Sequence, residues 1–348
     1  MADDPIPEAD REGELAHPRE VYDLVGHDDA ERQAGEAFAE GRMHHAWMIT
    51  GPKGVGKATF AWRLARRVLG GAPTGKSPLS VGPEDTVSRR LEALSHPDFL
   101  LIRRPFDAKR GKLRAEITVD ESRRAPEFFS KSASESDWRV CIVDAADEMN
   151  TNAANALLKT LEEPPAKGLL LLVVNAPGRL PTTIRSRCRR LSLRASAPDA
   201  CATWLAKRHG IDAEIARRCA DMAGGAPGRA LALSQSDAPR LKETLDGILE
   251  TLPRLDSRAV GVLASETANR DGEAVRRTLM EFLERYAHDR ARAAILGGEG
   301  ADRAGIWVAA GDALARLARE SETLYLDPKQ TTHAAFTILK EAAQAETQ

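Results

Sequence analysis

The chain has 348 residues, 42% hydrophobic and 29% charged, with 50 basic against 52 acidic side chains. That length predicts two or three domains, the apolar content excludes a wholly disordered chain, and no run approaches the roughly 20 apolar residues of a membrane-spanning helix. An acidic start, where an export signal is basic and then apolar, and four scattered cysteines (Cys141, Cys188, Cys201, Cys219) without metal-ligand spacing predict a cytoplasmic, non-membrane protein with reduced thiols and no metal site.

Residues 1–24 hold eight acids and two bases, and 1–20 read as a mobile acidic tail. A core over 21–195 follows. In it, short apolar runs at 47–50, 99–102, 140–143, 169–174 and 191–193 alternate with helical patterns. Phe60, Leu64 and Val68 recur at helical spacing, as do Ala154, Leu157, Leu158 and Leu161. The second of these helices has Asn150 or Asn152 as its cap and Pro164 and Pro165 as its stop. Alternating strand and helix implies right-handed crossovers and a mainly parallel sheet covered on both faces. The run LLLLVV is the continuous apolar stretch that a doubly buried strand requires.

Beyond residue 195 the pattern is helical throughout. Segments 198–209 and 212–222, with a third helix from Gly228, predict a small helical lid over 196–238. Longer helices over 239–348 carry one apolar stripe of Val275, Leu279, Phe282 and Tyr286 and another of Ile306, Ala310, Leu314 and Leu317. The expected fold class is therefore α/β, a phosphate-loop parallel sheet with a helical lid, followed by an all-α C-terminal domain. Two basic stretches stand out. Residues 101–114 hold six bases and one acid, and 179–194 hold six arginines and no acid. The first reads equally as a sequence-neutral phosphate contact and as a solvated loop.

The chemistry concentrates at Gly51, Pro52, Lys53, Gly54, Val55, Gly56, Lys57 and Ala58, between the first strand and a helix. Such a loop turns successive N–H groups toward phosphate oxygens, adds the positive end of a helix, and supplies the Lys57 charge. The motif should end in a hydroxyl that binds magnesium, but here it ends in Ala58. Thr59 is rotated about a quarter of a turn from that position. Asp144 closes the apolar run at 140–143, where a carboxylate would help hold a metal, but Ala145 stands where hydrolysing enzymes of this type carry Glu. Asp147 and Glu148 read as charge compensation at a helix start.

These segments, HHAWMITGPKGVGKA, HPDFLLI, CIVDAADEMN, NALLKTLEEPP and IRSRC, resemble in order and spacing the clamp-loader branch of the AAA+ nucleotide-binding proteins, within it the bacterial delta-prime group of DNA polymerase III. The resemblance spans most of 20–235. It implies that Asn175 is a first sensor, Arg229 a second sensor, and Arg187 an arginine finger reaching a neighbour's ATP. The residues themselves leave open a strand-end turn for Asn175, a surface helix residue for Arg229 and a solvated arginine for Arg187. The resemblance also implies a collar role for 239–348 and a pentameric ring with motor (tau/gamma) and delta subunits, acting on a sliding clamp and primer-template DNA. No cysteine lies between 69 and 97, where relatives carry a zinc module. The expected activity is that of a non-hydrolysing stator that needs no cofactor. Whether ATP or ADP is held passively stays open, and polymerase (nucleotidyltransferase) activity belongs to the holoenzyme. An active ATPase motor using Thr59 and Glu148, and a pure scaffold, are the alternatives.

Overall fold

The computed structural model describes residues 6–13, 15–269, 272–298 and 300–347. In chain order its first elements are α1 (Asp28–Ala39), β1 (Ala46–Thr50), α2 (Lys57–Val68), α3 (Thr86–Glu92), β2 (Phe99–Ile102), β3 (Phe106–Asp107), β4 (Lys112–Leu113) and α4 (Val119–Phe129). There follow β5 (Arg139–Asp144), α5 (Thr151–Glu162), β6 (Gly168–Val174), α6 (Thr182–Arg185) and β7 (Arg189–Ser192). The remainder is helical: α7 (Pro198–His209), α8 (Ala213–Met222), α9 (Pro227–Ser234), α10 (Ala238–Leu249), α11 (Ser257–Thr267), α12 (Gly272–Leu296), α13 (Ala301–Thr323) and α14 (Pro328–Glu346).

The sheet runs β2-β5-β6-β1-β7, with every pair parallel. This is the α/β fold class expected from the alternation of runs. Successive side chains point to opposite faces, and both faces are dry. Trp47, Ile49, Val140, Ile142, Leu169, Leu171 and Val173 pack with Phe60, Leu64 and Val68 of α2. Met48, Cys141, Val143, Leu170, Leu172 and Val174 pack with Ala125 of α4 and Leu157 and Leu161 of α5. Each such leucine contributes about 2 kcal/mol of burial, which is why β5 and β6 carry no alternation of polar residues. Asn150 rather than Asn152 caps α5, its side chain accepting from the Ala153 amide at 2.9 Å.

Thr50 lies beside Val174 and Ser192, and Asp144 beside Val173. The chain therefore leaves β1, β5, β6 and β7 at one common edge, which carries the phosphate loop.

The chain divides into two compact units, Met1–Ala232 and Leu233–Gln348. The division falls at Ala232, within the last helix of the expected lid, rather than at 238. The second unit buries its own apolar set, including Leu245, Leu279, Leu283, Trp307, Leu314, Phe336 and Leu339. Among the described residues no helix is long and apolar enough to cross a membrane. Cys141, Cys201 and Cys219 are buried and Cys188 half-buried, all as free thiols.

The expected mobile tail needs correction. Residues 1–5 and 14 lie outside the described residues, but 8–10 and 17–19 are held against the core. Pro18–Glu20 form a short 3-10 helix, His17 is buried edge-on against Trp62, and Asp10 pairs with His17 at 3.1 Å. Acids that look solvated in sequence find bases that are remote in it. Glu8 binds Arg19 at 2.6 Å and Arg103 at 2.8 Å, and Arg103 also binds Asp10. The same contacts reduce the basic loop. Within it β3 and β4 form a small hairpin, Arg103 is engaged as above, and Arg104 pairs with Glu148 at 2.7 Å.

Candidate functional site

The phosphate loop is shaped by glycines with left-handed backbone. Gly54 has φ +75°, and a Cβ on it would lie 2.4 Å from the amide nitrogen of Arg229. Its carbonyl accepts from the Gly228 amide at 2.8 Å. The start of α9 therefore rests directly on the loop, and Arg229 stands beside it. Gly51, at φ +149°, passes so close to β7 that a Cβ would sit 2.3 Å from the Leu193 carbonyl oxygen. His27, not singled out by sequence, donates from Nε2 to the Val55 carbonyl at 2.8 Å and braces the loop from behind.

Lys57 opens α2 but turns back into its own loop, its ammonium donating to the carbonyls of Gly51 and Pro52 at 2.8 Å each. It is 4% exposed. Burial pushes its pKa down to about 8, against the opposing pull of Asp144 and Asp147. Asp144 is buried, and burial first, then the nearby Asp10 carboxylate, raises its pKa well above the usual carboxylate range. Ala58 offers no hydroxyl and Ala145 no carboxylate. The backbone cradle suits a phosphate, but a metal-bound triphosphate does not fit these residues.

Asp147 has a different task from the one its sequence suggests. Its carboxylate, buried behind Asp144, accepts from the amides of Asn175 at 2.8 Å and Ala176 at 3.0 Å. It thereby fixes the exposed Asn175 at the end of β6, beside the loop. Glu148 is held by Arg104, and burial raises its pKa. That ion pair competes with any role as a base.

Glu12 pairs with Lys53 of the loop at 3.1 Å. Asp10, bound to Arg103 immediately after β2, lies over the same edge as Asp144 because Ile102 pairs with Val143. The sequence reading assigned neither acid to the site.

Arg187 is not brought to this edge. It precedes β7, whose first residue Arg189 lies beside Trp47 and whose last lies beside Thr50. The length of β7 alone puts about 10 Å between Arg187 and the loop. Its guanidinium donates to the Thr183 carbonyl at 2.9 Å and pairs with Glu162 at 3.0 Å, and the side chain is 37% exposed. Glu162, inside the NALLKTLEEPP segment, is a partner the sequence reading quoted but did not single out.

Residues 26–197, which hold the loop, Asp144, Asn175 and Arg187, match the family model described as "DNA polymerase III, delta subunit". Over that segment the chain resembles this family. The chain is 33% identical over 209 residues to "DNA polymerase III subunit delta'" of Escherichia coli (strain K12), covering 60% of each. It is also 33% identical to the subunit of that name in Bacillus subtilis (strain 168), covering 56% of this chain and 55% of that one. Against "DNA polymerase III subunit tau" of Salmonella typhimurium (strain LT2) it is 32% identical, covering 51% of this chain and 26% of that one. The chain thus spans little more than half the length of the delta' relatives it matches. Delta', tau and gamma subunits of DNA polymerase III resemble it at similar levels. The delta-subunit family match stops short of Arg229 and of the helical second unit.

Proposed function

We propose that this chain is the non-hydrolysing, delta-prime type subunit of a cytoplasmic DNA polymerase III clamp loader, and that it lends Arg187 to a neighbouring motor subunit's ATP. The observation that carries this reading is the separation of the two functional groups. Arg187 stands half-exposed at the end of the sheet opposite the chain's own loop, out of reach of any phosphate bound there. The chain's own site lacks a metal-binding hydroxyl at Ala58 and a base at Ala145. In the assembly so envisaged, the helices of 233–348 join motor (tau/gamma) and delta subunits in a five-membered ring that loads a sliding clamp on primer-template DNA. An arginine given in trans stabilises charge on the transferred phosphoryl group and is worth on the order of a thousandfold at the site it serves.

Reconstitution with motor and delta subunits tests this. Arg187→Ala is expected to abolish the share of DNA-stimulated ATPase belonging to the served site, while Lys57→Ala leaves the rate nearly unchanged. Equal large losses from both, or steady hydrolysis by the purified chain alone, would favour an active motor. Unchanged ATPase after Arg187→Ala would favour a scaffold.

A further inference from the structure

The phosphate loop is overlaid by anions of the chain itself. The segment 8–12 crosses the carboxyl edge of the sheet, with Glu8 and Asp10 clamped to Arg103 and Glu12 on Lys53. Its course is set by buried contacts. Asp10 and His17 each have fully buried side chains and pair at 3.1 Å, Glu8 also binds Arg19, and the Arg19 carbonyl accepts from Arg66 in α2. One end of the segment is thus anchored to the core beneath the loop. Beyond that anchor, Glu12 meets Lys53, a base of the loop that would greet a phosphate.

We infer that residues 8–12 are a built-in anionic clasp, in which Asp10 and Glu12 take up the positive field of the phosphate loop and so exclude nucleotide phosphates from it. Three features support a tethered occupant over a merely decorative strand. Lys53 belongs to the loop and pairs with Glu12. Asp10 lies near enough to Asp144 to oppose its ionisation, so a further anion there meets the charge of Asp10. Lys57 gives its hydrogen bonds to the carbonyls of Gly51 and Pro52, which a phosphate would have to displace. The exposed Glu12–Lys53 pair adds little stability, about 0–1 kcal/mol, so its removal leaves the fold in place while unmasking charge. This inference stands whether or not Arg187 serves a neighbour.

The test is calorimetric titration of the full chain with metal-free ADP, comparing wild type, Glu12→Gln, Asp10→Asn and the control Glu36→Gln. Glu36 is an exposed acid on α1, so its replacement removes the same unit of charge. Glu12→Gln is expected to bind ADP about threefold tighter than wild type, with Glu36→Gln unchanged. Asp10→Asn should gain as well, provided that its circular dichroism melt shows a folded chain; if it does not fold, the comparison of Glu12→Gln with Glu36→Gln decides. Equal affinity of wild type and Glu12→Gln overturns the inference. So does an equal gain in Glu36→Gln, or the absence of binding in all of the folded chains at millimolar ADP.

Discussion

Lys57 spends its hydrogen bonds on the loop that carries it, and the cost of that arrangement is readable by titration. A lysine held near pKa 8 in the fold and near 10.5 when unfolded binds fewer protons folded than unfolded between those values. Stability must therefore rise with pH across about 8 to 10.5, by on the order of 3 kcal/mol. Urea unfolding at several pH values should show this rise in wild type and lose it in Lys57→Met. An NMR titration placing the Lys57 ammonium above pH 10 would contradict it. Lys57 and the loop glycines were legible in the sequence because a phosphate loop is local, eight residues between a strand and a helix, and Asp144 because it closes an apolar run. Their state was not. Asp147 shows why: its neighbours suggest a helix start, but its partners Asn175 and Ala176 are brought in by the pairing of β5 with β6, which no local pattern encodes.

Among the elements, the contact between the loop and α9 is a close backbone approach. Gly54→Ala would combine a left-handed backbone with a Cβ pressed on the Arg229 amide. The expected loss is about 2–4 kcal/mol in denaturant unfolding. Gly178→Ala, whose added Cβ meets nothing within 4 Å, should stay within about 0.5 kcal/mol of wild type. Equal effects of the two would show that α9 does not bear on the loop. The doubly buried strands were readable because nothing polar interrupts them. The edge strand β7 was misplaced by two residues at its start, since Arg189 and Arg190 occupy a strand with one solvated side. The β3–β4 hairpin, two residues a side, is too short for any periodicity, and α4 hides behind its charges and an internal Pro126. The clasp was read as a tail because eight acids suggest water when their basic partners lie up to 95 residues away.

At the scale of the whole molecule, a formal net charge of −2 conceals an acidic segment folded onto basic ones. Composition alone could not reveal that self-neutralisation. The thiols follow the same logic of placement. Burial pushes Cys201 up to about 11 and Cys188 up to about 12, and raises Cys219 and Cys141 as well. Since the thiolate is the reactive form, a colorimetric disulfide reagent at neutral pH should titrate at most Cys188, and that slowly, in the native chain. All four should react in guanidinium. Rapid native reaction of two or more would mean that the sheet or the lid opens readily. The chain is consequently a quiet background for spectroscopic work. One cysteine introduced on an exposed helix could carry a fluorophore or spin label without first stripping out the residues nature put there, so distances to neighbouring subunits could be followed in an otherwise unaltered protein.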